Sequence, residues 1–227
     1  MQMLVHGKDI IKEFIRKKSD TNVFTAVRET DISLEPGKLT VITGRSGSGK
    51  STLLNMLSGI LVPDSGTVCY DDINIYEMSD RDLSRFRNRN TGYIPQGSSA
   101  VSSLNVRENI LLPAMFAGDD IRIDDRVLDA MMEKLSVYEL AGVMPDELSG
   151  GELRRMAVAR ALILKPAVIY ADEPTGDLDD ENTKIVFSML REAADAGACV
   201  LLVTHESDAA GYADVMYRMD AGRLDKC

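Results

Sequence analysis

The sequence predicts an α/β fold built on a largely parallel sheet. Three observations predict it. Short, strongly apolar runs at Leu39–Thr43, Ala167–Tyr170 and Val200–Val203 have the length and composition of strands buried on both faces. A stretch of period about 3.6, Asp180–Ala194, separates the last two. A glycine-rich loop, Gly44–Gly49, joins the first run directly to a helical stretch, Lys50–Ser58. Strands alternating with helices close into a parallel sheet covered on both faces.

Residues Leu4–Leu34 mix apolar and charged positions and read as a few strands with a polar loop around Lys17–Asn22. Glu35-Pro36-Gly37 is a turn signal ahead of the Leu39 strand. A polar, glycine-poor stretch runs from Ser79 to Asn90. Helical patterns at Asp124–Leu135 and Glu152–Leu164 make the middle of the chain helix-rich, which predicts a helical subdomain inserted into the sheet domain. Near the end, Val215–Met219 and Arg223–Leu224 flank Asp220-Ala221-Gly222, the pattern of a hairpin. The expected organisation is one domain over 1–227, with a core of 1–96 and 165–227 and a helical subdomain of 97–164.

Charge narrows the function classes. The chain of 227 residues carries 26 basic and 36 acidic side chains, a net charge of −10. Bulk electrostatic attraction to DNA, RNA or anionic lipid is disfavoured. The three cysteines, Cys69, Cys199 and Cys227, have no metal-type spacing and suit reduced thiols in a cytosol. No segment approaches the ~20 apolar residues needed to span a bilayer, so direct membrane insertion is not expected. Nor does the start of the sequence have the apolar core and cleavage site of a signal peptide.

The strongest motif is Gly44-Arg45-Ser46-Gly47-Ser48-Gly49-Lys50-Ser51-Thr52, which fits G-x-x-x-x-G-K-[ST]. Glycines let the backbone turn sharply and bring N–H groups close to phosphate oxygens. The helix that follows adds its positive end. Lys50 supplies a cation for the β- and γ-phosphates, and the Ser51 hydroxyl is a ligand for Mg²⁺. A second motif, Asp172-Glu173, puts two carboxylates at the C-terminal end of an apolar strand, where parallel sheets bind ligands. Asp172 suits Mg²⁺ through water, and Glu173 suits the polarisation of an attacking water. Third, Leu148-Ser149-Gly150-Gly151-Glu152 opens a helix with capping-box spacing. Its consecutive glycines admit close approach of an anion to the helix end. The chain thus has two anion-receptive helix starts, and the simplest use of the second is the γ-phosphate of an ATP held by another molecule.

At these residues the sequence resembles the ATP-binding cassette (ABC) ATPases over essentially its whole length. The phosphate loop is similar to the family's Walker A motif, and LSGGE to its signature. Arg155 and Ala159-Arg160-Ala161-Leu162 fit the rest of the signature helix. Asp172 and Glu173 correspond to Walker B and its catalytic glutamate, Gln96 in Tyr93-Ile94-Pro95-Gln96 to the Q-loop, Asp179 to the D-loop aspartate and His205 to the switch histidine. The resemblance implies a P-loop NTPase (RecA-like) core with an N-terminal antiparallel β part and an inserted helical subdomain. It also implies Gln96 as a third Mg²⁺ ligand that couples chemistry to the helical insert, and Phe14, with Phe24 as its rival, as the ring that stacks on adenine. Position 152 is Glu rather than Gln, and position 177 is Asp where relatives tend to have Asn.

Within the family the sequence resembles the subclass of lipoprotein release, macrolide efflux, antimicrobial-peptide resistance and septal cell division. The match lies in Asn105–Pro113, Met144–Glu147 and Pro174–Asp179. That subclass implies an ATPase that dimerises with ATP and drives separate transmembrane permease subunits, cytoplasmic and peripheral on the inner face of the membrane. The alternative is a soluble, non-transport ABC-type ATPase. The chromosome and repair members need a long coiled coil for which the chain has no room, and the translation-associated members act on a polyanion, which the net charge of −10 opposes. A small-molecule kinase would share the phosphate loop but needs neither LSGGE nor His205.

Overall fold

The computed structural model describes residues 3–15, 23–97, 99–118, 121–176 and 178–227. The loop expected around Lys17–Asn22 lies outside the described residues, as does Asp177. Two sheets organise the chain. The smaller contains β1 (Val5–Ile15), β2 (Val23–Leu34), β4 (Ser65–Tyr70) and β5 (Ile73–Asn74) in the order β2-β1-β4-β5, all antiparallel. The larger contains β3 (Leu39–Thr43), β6 (Thr91–Ile94), β7 (Val168–Asp172), β8 (Cys199–Thr204), β9 (Val215–Asp220) and β10 (Arg223–Lys226) in the order β10-β9-β3-β8-β7-β6. It is parallel except for the closing β9–β10 hairpin.

Every residue of β7 and β8 is buried, as their unbroken apolar runs require. Alternate side chains of the sheet serve two cores. Ile42, Leu201 and Val203 point into the layer between the sheets and meet Leu53, Leu54 and Leu57 of α1 (Lys50–Leu57). Val41, Val200 and Leu202 point the other way, into a core shared with α3 (Val106–Ala117), α4 (Asp125–Lys134), α5 (Gly150–Leu162) and α6 (Asp180–Asp195). Truncating any of these leucines to alanine removes ~2–5 kcal/mol.

The helices start where their caps dictate. Asn105 caps α3 with Glu108 closing a capping box, and Ser149 and Glu152 do the same for α5. Helix α5 therefore begins at Gly150, two residues ahead of the periodic pattern, because Glu152 occupies its third position. The polar stretch after Ser79 is α2 (Asp80–Asn90), capped by the Ser79 hydroxyl, with no fully buried residue. Among the described α-helices α1 alone lacks a side-chain cap at its start, where Gly49 sits at φ 109°.

The far end of α1 is tied down by four phenols. The hydroxyls of Tyr70 and Tyr170 lie 2.9 and 3.0 Å from Leu57 O and 2.6 Å from each other. Tyr76 Oη lies 2.6 Å from both Met56 O and Leu61 O, and Tyr93 Oη donates to Asn55 Oδ1. Hydroxyl protons at the negative end of a helix satisfy its last carbonyls. Burial pushes the Tyr70, Tyr76 and Tyr170 phenols well up, and that of Tyr93 to about 12, so all four remain neutral donors. Among the described residues no helix is long and apolar enough to cross a membrane.

Candidate functional site

Register brings the motifs to one edge of the sheet. Thr43 pairs with Thr204 and Asp172 with Val203, so β3, β7 and β8 end level. The residues that follow them, Gly44, Glu173 and His205, emerge on that edge together.

The phosphate loop is shaped by its neighbours. A Cβ at Gly44 would stand 2.2 Å from Met219 O, and one at Gly49 2.2 Å from Ala26 O. Only glycine allows the loop to pass so close to β9 and β2. Gly222 N, from the β9–β10 turn, donates to Ser48 O. Arg45, Ser46 and Gly47 are exposed at the tip, whereas Lys50 and Ser48 are buried. Lys50 Nζ lies across the loop and donates to Gly44 O (2.8 Å) and Arg45 O (3.2 Å). The buried Ser48 Oγ has no partner among the described residues. An orphaned hydroxyl, a buried cation and an uncapped helix start inside one glycine cradle fit a bound phosphate chain.

Ser51 Oγ donates to Asp172 Oδ1 at 2.9 Å. Asp172 is 3% exposed, and burial raises its pKa, against the opposing Ser51 hydrogen bond and the charges of Lys50 and Arg154. A desolvated carboxylate beside a hydroxyl is a hard-oxygen donor pair, which suits Mg²⁺. Among the described residues no cluster of three or more His, Cys, Asp or Glu could hold a metal by itself. The fit is to a cation shared with phosphate oxygens.

Glu173 has φ +47°, a left-handed conformation that costs a non-glycine residue about 1 kcal/mol or more. Its N–H donates to Val203 O, which fixes the kink. The kink carries the carboxylate into the site. One oxygen stands 4.0 Å from Lys50 Nζ, and the other 2.9 Å from His205 Nδ1 and 3.3 Å from His205 N. The Glu173 side chain is only 13% exposed, whereas that of His205 is 72% exposed. Gln96 is exposed on the turn after β6; with Ile94 paired to Ala171, that turn leaves the same edge of the sheet.

Phe14 and Phe24 are cross-strand partners on β1 and β2, and both line a cleft of about 190 Å³ with Gly47, Gly49, Lys50, Ser51 and Thr52. Phe14 is 41% exposed and carries Lys12 Nζ 5.7 Å from its ring centre. Ser149, Gly150, Gly151 and Asp179 do not join this site. They line a separate cleft of about 490 Å³ with Arg155, Leu178 and Asn182. The Ser149 hydroxyl caps α5 and also donates to Glu152, whose carboxyl it holds below the usual range. Asp179 caps α6 through Asn182 N.

Sequence reasoning missed several contacts. Arg154 Nη1 donates to Pro95 O (2.6 Å) and Gly97 O (3.4 Å), and Arg160 Nη1 to Ser99 O. Thr175 Oγ1 donates to Glu206 (2.7 Å), which joins the turn after Glu173 to the turn after His205. The available signal was three arginines, Arg154, Arg155 and Arg160, in a helix whose remaining residues after Glu152 are apolar.

Comparisons with known proteins agree with this geometry. The family model described as ABC transporter matches residues 27–176. The lipoprotein-releasing system ATP-binding protein LolD of Buchnera aphidicola is 34% identical over 217 residues, covering 95% of this chain and 93% of the relative. That of Treponema denticola is 37% identical, covering 86% and 87%. A solved dimeric ATP-binding cassette in a post-hydrolysis state, bound to ADP and Pi, superposes with a TM-score of 0.90 at 27% identity over 98% of both chains.

Proposed function

The chain belongs to the ABC transporter family and is an ATP-binding subunit of that class; on this premise we propose that it hydrolyses ATP to ADP and phosphate to drive separate transmembrane permease subunits. The observation that carries the reading is the division of the site. Lys50, Ser51, Asp172, Glu173 and His205 are linked pairwise at one edge of the sheet, while Ser149, Gly150, Gly151 and Asp179 line a separate cleft. Two copies arranged head to tail would each complete the other's site, which the likeness to a dimeric cassette supports.

In this reading residues Gly44–Thr52 wrap the phosphates, and the adenine stacks on Phe14. Lys50 leaves the carbonyls of Gly44 and Arg45 for phosphate oxygens, exchanging two neutral acceptors for charged ones. Ser51, Asp172 and Gln96 would hold Mg²⁺, which when bound neutralises charge on the phosphate oxygens. Glu173 takes the proton of the attacking water, and the left-handed kink at this residue sets the aim of its carboxylate. His205 holds one oxygen of Glu173 through Nδ1 and presents the rest of its exposed ring toward the γ-phosphate. The Ser149–Gly151 helix start of the second copy meets that phosphate from the other side. The segment 97–164 then moves as a subdomain against the core 1–96 and 165–227, with Gln96 at the joint.

The relatives named for lipoprotein release support a place on the inner face of a membrane through a permease partner. The test is phosphate release by the purified chain. Turnover that needs Mg²⁺, vanishes with a chelator and rises more than linearly with protein concentration supports the reading. Turnover strictly proportional to concentration in the chain alone contradicts the shared site.

A further inference from the structure

We propose that Arg154 is a positioning residue that fixes Gln96 to helix α5, so that a displacement at the Ser149–Gly151 helix start reaches Gln96 through its guanidinium. The proposal rests on the functional reading above for the roles of Gln96 and of that helix start.

Arg154 lies in the second turn of α5 and is 7% exposed. Its Nη1 donates to Pro95 O and Gly97 O, the carbonyls on either side of Gln96. Two bonds from one rigid guanidinium fix two successive stretches of backbone and thereby the direction in which the Gln96 side chain leaves the turn. Gln96 itself is exposed, and Gly97 follows it at φ +87° with no described atom within 4 Å of the place a Cβ there would take. Further along the same helix, Arg160 Nη1 holds Ser99 O, so the turn is bound to α5 at both ends.

The guanidinium also reaches the turn after Glu173. A Cβ at Gly176 would stand 3.6 Å from Arg154 Nη2. The same side chain therefore lies between the turn of Gln96 and the turn after Glu173. Its charge is one of those that favour the ionised form of Asp172. A lysine ammonium could donate to both carbonyls, but it has no second nitrogen to face the turn at Gly176 as Nη2 does. A neutral side chain would leave both carbonyls to find new donors.

The test compares the full-length chain with Arg154→Met, Arg154→Lys and Arg154→Gln. Hydrogen exchange around Gln96 should quicken about tenfold in Arg154→Met, the scale of one lost charge-assisted bond, with less change in the amides of β7 and β8. Turnover should fall about tenfold while the KM for ATP moves less than about twofold, because the phosphate loop is untouched. Arg154→Lys should recover part of the loss. Combined with Gln96→Ala, Arg154→Met should add little further loss, since it acts through that residue. Unchanged exchange around Gln96 in a folded Arg154→Met variant overturns the proposal, as does a double variant whose losses multiply. If Gln96→Ala alone keeps full turnover, the role given to Gln96 in hydrolysis fails, and the exchange measurement still decides whether Arg154 holds the turn. Should Arg154→Met not fold, Arg154→Lys and Arg154→Gln are read by the same two criteria.

Discussion

Lys50 illustrates how one side chain can be committed before its ligand arrives. It is buried, donates to two loop carbonyls and faces Glu173 at 4.0 Å. Replacing it by alanine removes the cation that holds these carbonyls and leaves Glu173 facing the phosphates uncompensated. We expect Lys50→Ala to lose ~1.5–3 kcal/mol of ATP affinity or more. Calorimetric titration with ATP checks this, and unchanged affinity would remove Lys50 from the site. At this scale the sequence was legible wherever chemistry requires contiguous residues. Gly44–Thr52 and Asp172-Glu173 are such runs, since loop and strand-end geometry follow from local order. Arg154 was not legible, because its acceptors are backbone carbonyls about sixty positions away and backbone acceptors leave no pattern in sequence. The choice between Phe14 and Phe24 stayed open for a related reason: they are cross-strand partners, and the register that sets both beside the phosphate loop is a tertiary fact.

Elements are joined by a few polar contacts that tune their stability. Asp214 accepts from Leu39 N at the start of β3 and from Arg191 of α6. Burial pushes its pKa up, but the Arg191 and Leu39 hydrogen bonds and the charges of Arg191 and Lys38 outweigh that and hold it below the usual value. A carboxyl with a depressed folded pKa stabilises the fold at every pH above its unfolded pKa, and the contribution is lost as pH falls through the folded value. We therefore expect Asp214→Asn to be less stable than the parent by ~1 kcal/mol at pH 7. The gap should stay level down to about pH 5 and close below about pH 4. Urea unfolding at each pH measures it; a gap that widens on acidification would contradict the assignment. The phenol cluster makes a second case. Tyr170→Phe leaves Leu57 O to Tyr70 alone and should cost ~1 kcal/mol, with a smaller change in ATP affinity because α1 keeps its other three phenols. The strands and most helices were legible from apolar runs and period, whereas this cluster joins residues up to 113 positions apart and only the fold brings it together.

For the whole molecule the central claim is that one chain holds half of each site. The Ser149–Gly151 helix start and the phosphate loop line different clefts, so in the proposed reading a monomer would leave the γ-phosphate of its ATP uncapped. Each copy carries a net charge of −10, so association depends on short-range contacts through bound nucleotide rather than on bulk attraction. Glu173→Gln isolates that step. Glutamine keeps the volume and can hold a water, but it cannot take the proton, so turnover should fall at least ~10²-fold. Removing a carboxylate beside the triphosphate also relieves like-charge repulsion, so ATP binding should hold or tighten. Light scattering of Glu173→Gln with saturating ATP and Mg²⁺, run beside a steady-state phosphate-release assay, is the most direct test. The account predicts a mass that doubles from 24.9 kDa on adding ATP, together with the loss of turnover. A variant that stays at the monomer mass at high protein and saturating ATP, or one that turns over at the parent rate, would contradict it.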